Sequence, residues 1–352
     1  MLKVNFWLKR LIKEWLFLSS TIGLIITSIY LKRIPAYTIG DVEILTVIFL
    51  FLVVLKGLEN TQILTKLAQS TIKGRFIPLK IILLTALLSA FFTNDIALLM
   101  LIPLTLSLNI KHKDILVILQ AIAANAGSAI LPSGNPQNMF IYWFYKPSLT
   151  EFVKTIYPFS LFGVSLLAVF CLFIKPDSES KRINPEIKPN YKAYIILLFL
   201  MLAIILKILP LWLGLVVLVY AAVFDREALK VDYFLIGIFF AFFGLTDNLR
   251  HLISVSSNFK DSVVVFSSFL SQLISNVPAT LFLADFTADW KRLLWGVSIG
   301  GYGNLIGSLA NLIAYRIYKT HNPEHKGFLV EFLVLGYLWF FASILFYMFV
   351  VS

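Results

Sequence analysis

The sequence predicts an all-α polytopic membrane protein made of two inverted-topology repeats, with two re-entrant hairpins and two broken transmembrane helices. Three observations lead there. The 352-residue chain is 59% hydrophobic and only 14% charged, with a mean hydropathy of +0.87, whereas a soluble domain is roughly half apolar and about a quarter charged. Two of its long apolar stretches carry polar residues at their centres. Two blocks of sequence recur, in the same order, in the two halves of the chain.

Apolar runs of about 17–25 residues, each long enough to cross a hydrocarbon core of about 30 Å, recur from residue 15 onward. Spanning segments fall near 15–31, 41–57, 114–145, 152–174, 192–208, 211–225, 233–248, 290–318 and 327–350. The first is too long for a cleavable signal, and no small-residue cleavage site follows it. The stretches 76–108 and 261–288 are interrupted midway by Thr93-Asn94-Asp95 and by Ser275-Asn276. Each is therefore read as a hairpin that enters and leaves by one side. The proline-containing, mixed-charge connector 175–191 reads as a cytoplasmic linker between an N-terminal transmembrane repeat, 1–174, and a C-terminal one, 192–352.

The net charge of +11 is spread over short loops, so it argues for membrane orientation and against a nucleic-acid partner. With the N-terminus cytoplasmic and the C-terminus outside, most of the 30 Lys and Arg fall on the cytoplasmic side, among them Lys9, Arg10, Lys73, Arg75, Lys181, Arg182 and Lys319, as the positive-inside rule requires. The expected location is the cell membrane, plasma or inner, crossed many times. The expected partners are the lipid bilayer and a small-molecule or ion substrate. Cys171 is the only cysteine, which excludes an intramolecular disulfide and a thiolate metal cluster. His112, His251, His321 and His325 fall in predicted loops and make no zinc pattern. No Walker loop, HExxH or GxSxG occurs, so neither a nucleotide-driven pump nor a hydrolase is expected, and no cofactor beyond a coupling ion.

"SAFFTNDIALLMLIPLT" (89–105) lies over "SQLISNVPATLFLADFT" (271–287), and "GNPQNMFIYWFY" (134–145) over "GSLANLIAYRIY" (307–318). Asn94 thus matches Asn276, Gly134 matches Gly307 and Asn138 matches Asn311. Five crossings separate the hairpins, an odd number, so the second half is inverted relative to the first, the plan of many secondary transporters. "NAGSAILPSGNPQN" (125–138) and "GGYGNLIGSLAN" (300–311) read as breaks in two spanning helices. Such backbone must be buried in protein or line a watery cavity, and the freed helix ends offer carbonyls to cations and N–H groups to anions. The expected binding site near the midplane draws Thr93, Asn94, Asp95, Ser275, Asn276 and Thr280 from the hairpins. From the first break it takes Asn125, Gly127, Ser128, Ser133, Gly134, Asn135 and Asn138, and from the second Gly300, Gly301, Asn304, Gly307, Ser308 and Asn311.

Asp95 carries weight because a carboxylate inside a membrane costs about 2.5–3.5 kcal/mol even on the lenient insertion scale. The sequence leaves two roles open: coupling to Na⁺ or H⁺, or capping a helix that begins at Ile96. A sodium site would draw on Asn94, Asp95, Gly134, Asn276 and Gly307. Asp247 and Asp285 lie near predicted outer boundaries and read as solvated ends.

On "TND" and "SNVPAT" at the hairpin tips, "GNPQN" in the first break and "GGYGNLIGSLAN" in the second, the chain resembles the ion transporter superfamily. That group holds arsenite permeases, NhaD-type sodium/proton antiporters, citrate-transporter-like permeases and divalent anion/sodium symporters. The resemblance implies that Thr93, Asn94, Ser275 and Asn276, with Gly134, Asn135, Gly307 and Ser308, bind substrate and coupling ion. It also leaves room for a homodimer, since relatives are often dimers. Dicarboxylate symporters carry Ser-Asn-Thr at both tips. Here Asp95 and Val277 stand in the third positions, and an aspartate would repel a dianion. The expectation is a secondary active transporter for a small anion or oxyacid of arsenite type, coupled to Na⁺ or H⁺ by alternating access. A citrate or dicarboxylate permease, a sodium/proton antiporter and an ion channel are the alternatives.

Overall fold

The computed structural model describes residues 15–72, 76–108, 110–172, 174, 187–252 and 262–351. Most of the predicted linker, 175–186, lies outside them, as do Lys9, Arg10, Lys73, Arg75, Lys181 and Arg182. The described residues are helical, without a strand. Helices α1 (Trp15–Leu31), α2 (Ile39–Asn60) and the short α3 (Ile63–Thr71) lead to a pair, α4 (Ile77–Phe92) and α5 (Asn94–Ser107). Next come α6 (Lys113–Ser128), a 3₁₀ turn (Pro132–Gly134), α7 (Pro136–Tyr145) and α8 (Leu149–Cys171). The second half holds α9 (Tyr191–Ile205), α10 (Leu215–Phe224), α11 (Tyr233–Leu252) and a second pair, α12 (Val263–Ile274) and α13 (Asn276–Ala284). It closes with α14 (Trp290–Gly300), α15 (Leu309–His321) and α16 (Phe328–Phe346).

Local chemistry sets several of these boundaries. Thr38 and Asp41 form a reciprocal capping box at the start of α2, satisfying two N–H groups that have no partner within the helix. Ser148 accepts from Glu151 N (3.2 Å) to open α8, and Pro136 takes the first position of α7, where its missing N–H costs nothing. α3 and the positions of His251 and His321 depart from expectation. α3 occupies a stretch with no apolar run long enough to announce a helix, and His251 and His321 belong to the last turns of α11 and α15, not to loops.

Among the described residues, three helices are long and apolar enough to cross a bilayer: Leu149–Cys171, Arg226–Leu252 and Phe328–Val351. α2 is longer than most of the others, yet Val47, Phe51, Val54 and Leu58 along it are buried, so it serves as the central post of the bundle. Large apolar side chains such as Ile22, Ile26 and Ile29 on α1 and Val330, Val334 and Phe341 on α16 face outward. Composition, helix length and this apolar exterior make the chain a polytopic membrane protein.

The packing is reciprocal between the halves. α4 lies on α6, and α12 lies on α14; α5 reaches across to α15, while α13 reaches across to α7. α1 packs on α11, and α2 on α9. The helices within each pair also pack on each other. One end of the bundle is tied by ion pairs: Arg33–Asp247 (2.8 Å), Arg250–Asp285 (3.1 Å) and Lys291–Glu151 (2.9 Å). Asp247 and Asp285 are thus paired and not free solvated ends. At the other end Lys113 donates to the Leu106 carbonyl (2.8 Å), and Asn190 and Tyr194 donate to Asp225 (3.1 and 2.9 Å).

Candidate functional site

Each helix pair turns on a single residue with a positive φ: Thr93 at φ 67°, ψ 150°, and Ser275 at φ 74°, ψ 155°. Few residues other than glycine adopt this geometry. Its recurrence at aligned positions puts Asn94 and Asn276 at matching helix starts, α5 and α13.

The two interruptions are held open by their own asparagines. Asn138 Nδ2 donates to the carbonyls of Ser128, Ala129 and Leu131 (3.1, 2.8 and 3.1 Å). Its counterpart Asn311 donates to those of Gly301 and Asn304 (both 2.9 Å). Carbonyls without helical partners are thereby satisfied inside the protein. Asn135 Oδ1 then caps α7 by accepting from Asn138 N (2.8 Å), and Ser308 Oγ caps α15 by accepting from Ala310 N (3.3 Å). Gly134 is required by close approach, since a Cβ there would collide with the Ser128 carbonyl.

These elements meet at Asn125. Its Oδ1 accepts from Asn94 Nδ2 (3.1 Å) and from Ser308 Oγ (3.0 Å). Its Nδ2 donates to Asn311 Oδ1 (2.9 Å) and to the Ala121 carbonyl (3.1 Å). One side chain of the first half therefore joins its own pair tip to the interruption of the second.

Beside this hub lies a cavity of about 310 Å³. Of the residues expected to bind, Asn94, Asp95, Asn135, Ser275, Asn276 and Ser308 line it. The others stand behind the wall. Thr93 and Ser133 are buried; Ser128 Oγ bonds the Asn125 carbonyl (3.3 Å), and Thr280 Oγ1 bonds the Asn276 carbonyl (2.7 Å). Gly127, Gly300, Gly301, Asn304 and Gly307 shape the backbone. Gly127 faces the Ala86 backbone, and Gly307 O accepts from Asn276 N (3.0 Å). Asn304 Oδ1 accepts from Ile306 N and Gly307 N (2.9 and 2.8 Å).

Asp95 makes no cap. α5 begins one residue before it, its backbone N–H donates to Asn94 Oδ1 (3.0 Å), and its buried Oδ1 has no hydrogen-bond partner. Of the proposed sodium ligands, Asn94, Asp95 and Asn276 reach the cavity, whereas Gly134 and Gly307 lie behind it.

Sequence reasoning missed three contributors. Asp232 and Arg316, both exposed, border the cavity; in the sequence they look like ordinary loop and helix-end charges. Gln272 on α12 holds the second interruption, donating to Gly300 O (2.8 Å) and Tyr302 O (3.1 Å) and accepting from Asn304 N (2.9 Å). A buried glutamine one helical turn before the tip serine was the available signal.

Comparison with known proteins gives consistent results. A family profile described as Citrate transporter matches residues 11–297. The uncharacterized transporter MJ0456 of Methanocaldococcus jannaschii is 33% identical, covering 86% of this chain and 88% of the relative. The inner membrane protein YbiR of Escherichia coli is 32% identical, covering 74% and 76%. The silicon efflux transporter LSI3 of Oryza sativa subsp. japonica is 26% identical, covering 79% of each.

Proposed function

Because the chain belongs to the citrate-transporter family, a family of membrane transporters, we propose that its cavity is the substrate site of a secondary carrier. The carrier moves a small oxyacid, of the arsenite or silicic-acid type, by alternating access coupled to Na⁺ or H⁺. One observation carries this reading: two pair tips and two interrupted helices converge on one cavity, with the unpartnered oxygen of Asp95 beside it. On this view α4–α5 and α12–α13 are re-entrant hairpins from opposite faces. The ion-paired end is the closed outer side, and the cavity opens toward the cytoplasm past Asp232 and Arg316.

The charge of the lining supports the substrate class. Among the described residues, Asp95 and Asp232 set two carboxylates against the guanidinium of Arg316, and the other polar groups of the lining are amides and hydroxyls. Amides and hydroxyls suit a neutral, hydroxyl-bearing molecule, while a trianion needs surplus positive charge. The rice relative, a silicon efflux transporter, agrees with this choice. Citrate is the second reading, favoured by the family description and by Arg316.

A thermal-shift screen of the purified protein separates them. Arsenite or silicic acid should raise the melting temperature by mass action, and citrate should not; the reverse pattern selects the citrate reading. For coupling, flux in liposomes is measured against pH at two sodium concentrations. In Asp95→Asn a proton role predicts loss of pH dependence, and a sodium role predicts weaker sodium affinity. Curves identical to wild type would remove Asp95 from the ion site, and unsaturable flux without a counter-ion would indicate a channel.

A further inference from the structure

Away from the cavity, at the end of the bundle where α6 begins and α15 passes into α16, the side chains of Asp114, His325 and Glu331 converge. One ligand atom from each lies within 4.8 Å of the other two. We propose that these three residues bind a divalent transition-metal ion, with Zn²⁺ the best match to one imidazole and two carboxylates.

Three features of the cluster point to an ion and not merely to a surface ion pair. His325 Nε2 already lies 3.1 Å from Glu331 Oε1, close to the separation of roughly 3.5 Å between ligand atoms around a tetrahedral ion with bonds of about 2.0–2.2 Å. A His–Glu pair alone, however, leaves Asp114 Oδ1 and Glu331 Oε2 buried with no hydrogen-bond partner. A buried acceptor left unmatched is unfavourable, and a cation between the two carboxylates would satisfy both. Second, the other imidazole nitrogen, Nδ1, is 2.9 Å from Tyr318 Oη, whose oxygen also accepts from Asn322 Nδ2 (3.2 Å). With Nδ1–H donating to that oxygen, Nε2 presents its lone pair to the carboxylates, the outer-shell arrangement that orients metal-bound histidines. Third, the nearby cation does not neutralise the acids: Lys319 Nζ is spent on the carbonyls of Pro323 (2.6 Å) and His325 (3.0 Å), pinning the 322–327 turn in place.

The consequence is mechanical. Asp114 sits in the first turn of α6, the helix that carries Asn125, and Glu331 sits in the first turn of α16. An ion there staples the base of the first interrupted helix to the segment that follows the second.

The test uses the full-length purified protein, stripped of metal and titrated with Zn²⁺ alone, read by calorimetry and by melting temperature. Wild type should bind one equivalent saturably and melt higher. His325→Gln and Glu331→Gln should each weaken binding at least tenfold, the loss typical of a missing ligand or outer-shell partner. His251→Ala, at the far end beside Arg33 and Asp247, should bind as wild type does. Should a Gln variant fail to fold, Asp114→Asn replaces it, with the same tenfold loss expected. Co²⁺ in place of Zn²⁺ should give visible absorption bands that the variants lack. Absence of saturable binding, binding undiminished in the ligand variants, or an equal loss in His251→Ala would each overturn the assignment.

Discussion

Thr93 and Ser275 hold a backbone conformation that costs an ordinary residue about 1–3 kcal/mol, and a β-branched residue at positive φ is a genuine outlier. Glycine would relieve that strain and lose only about 0.5–1 kcal/mol in chain entropy. Thr93→Gly should therefore melt no lower than wild type, while Thr93→Val, which keeps the branch and loses the hydroxyl, should not melt higher. Circular dichroism of the purified variants in detergent measures both, and a clearly lower melting temperature for Thr93→Gly would refute the strain. The polar tips themselves were legible, because Asn94, Asp95 and Asn276 interrupt apolar runs. Their backbone geometry was not, since neither threonine nor serine advertises a positive φ as glycine does. Asp232 and Arg316 were illegible for another reason: only the fold brings them to the cavity.

At the scale of elements, the asparagines divide into two kinds. Asn138 and Asn311 spend their amides on the carbonyls of their own interruptions, so replacing either with alanine should cost about 1–3 kcal/mol for each carbonyl left unmatched. The expected result is a lower melting temperature and poor expression. Asn94 and Asn276 line the cavity instead. Asn94→Ala and Asn276→Ala should leave the protein folded and inserted while abolishing transport, measured as uptake into liposomes. Full transport in either would assign the tips to structure alone. Both interruptions were visible in the sequence from glycine and proline in long apolar runs, and the pairing of Asn138 with Asn311 came from the repeated block. The short α3 was not visible, because nine residues fall well below the length at which apolar periodicity identifies a helix.

For the whole molecule, the orientation of the two halves is the property to test. If they are inverted, the start of α6 faces the cytoplasm and the start of α14 faces outside. Single cysteines at Lys111 and Asp289, probed with an impermeant reagent in intact cells, should label only at 289; labelling at both positions would sink the inverted plan. Cys171 is buried, so the background should be low. The broad helical plan was legible because lipid leaves a chain few ways to satisfy its backbone. The crossing of α5 onto α15 and of α13 onto α7 was not, since no local pattern encodes which half a helix leans on. The first of these crossings passes through Asn125, which joins Asn94 of α5 to Ser308 and Asn311 at the start of α15. A change at position 125 alters the fit of Asn94, Ser308 and Asn311 together, so the gene cannot vary its two halves independently: each limits which substitutions the other can accept.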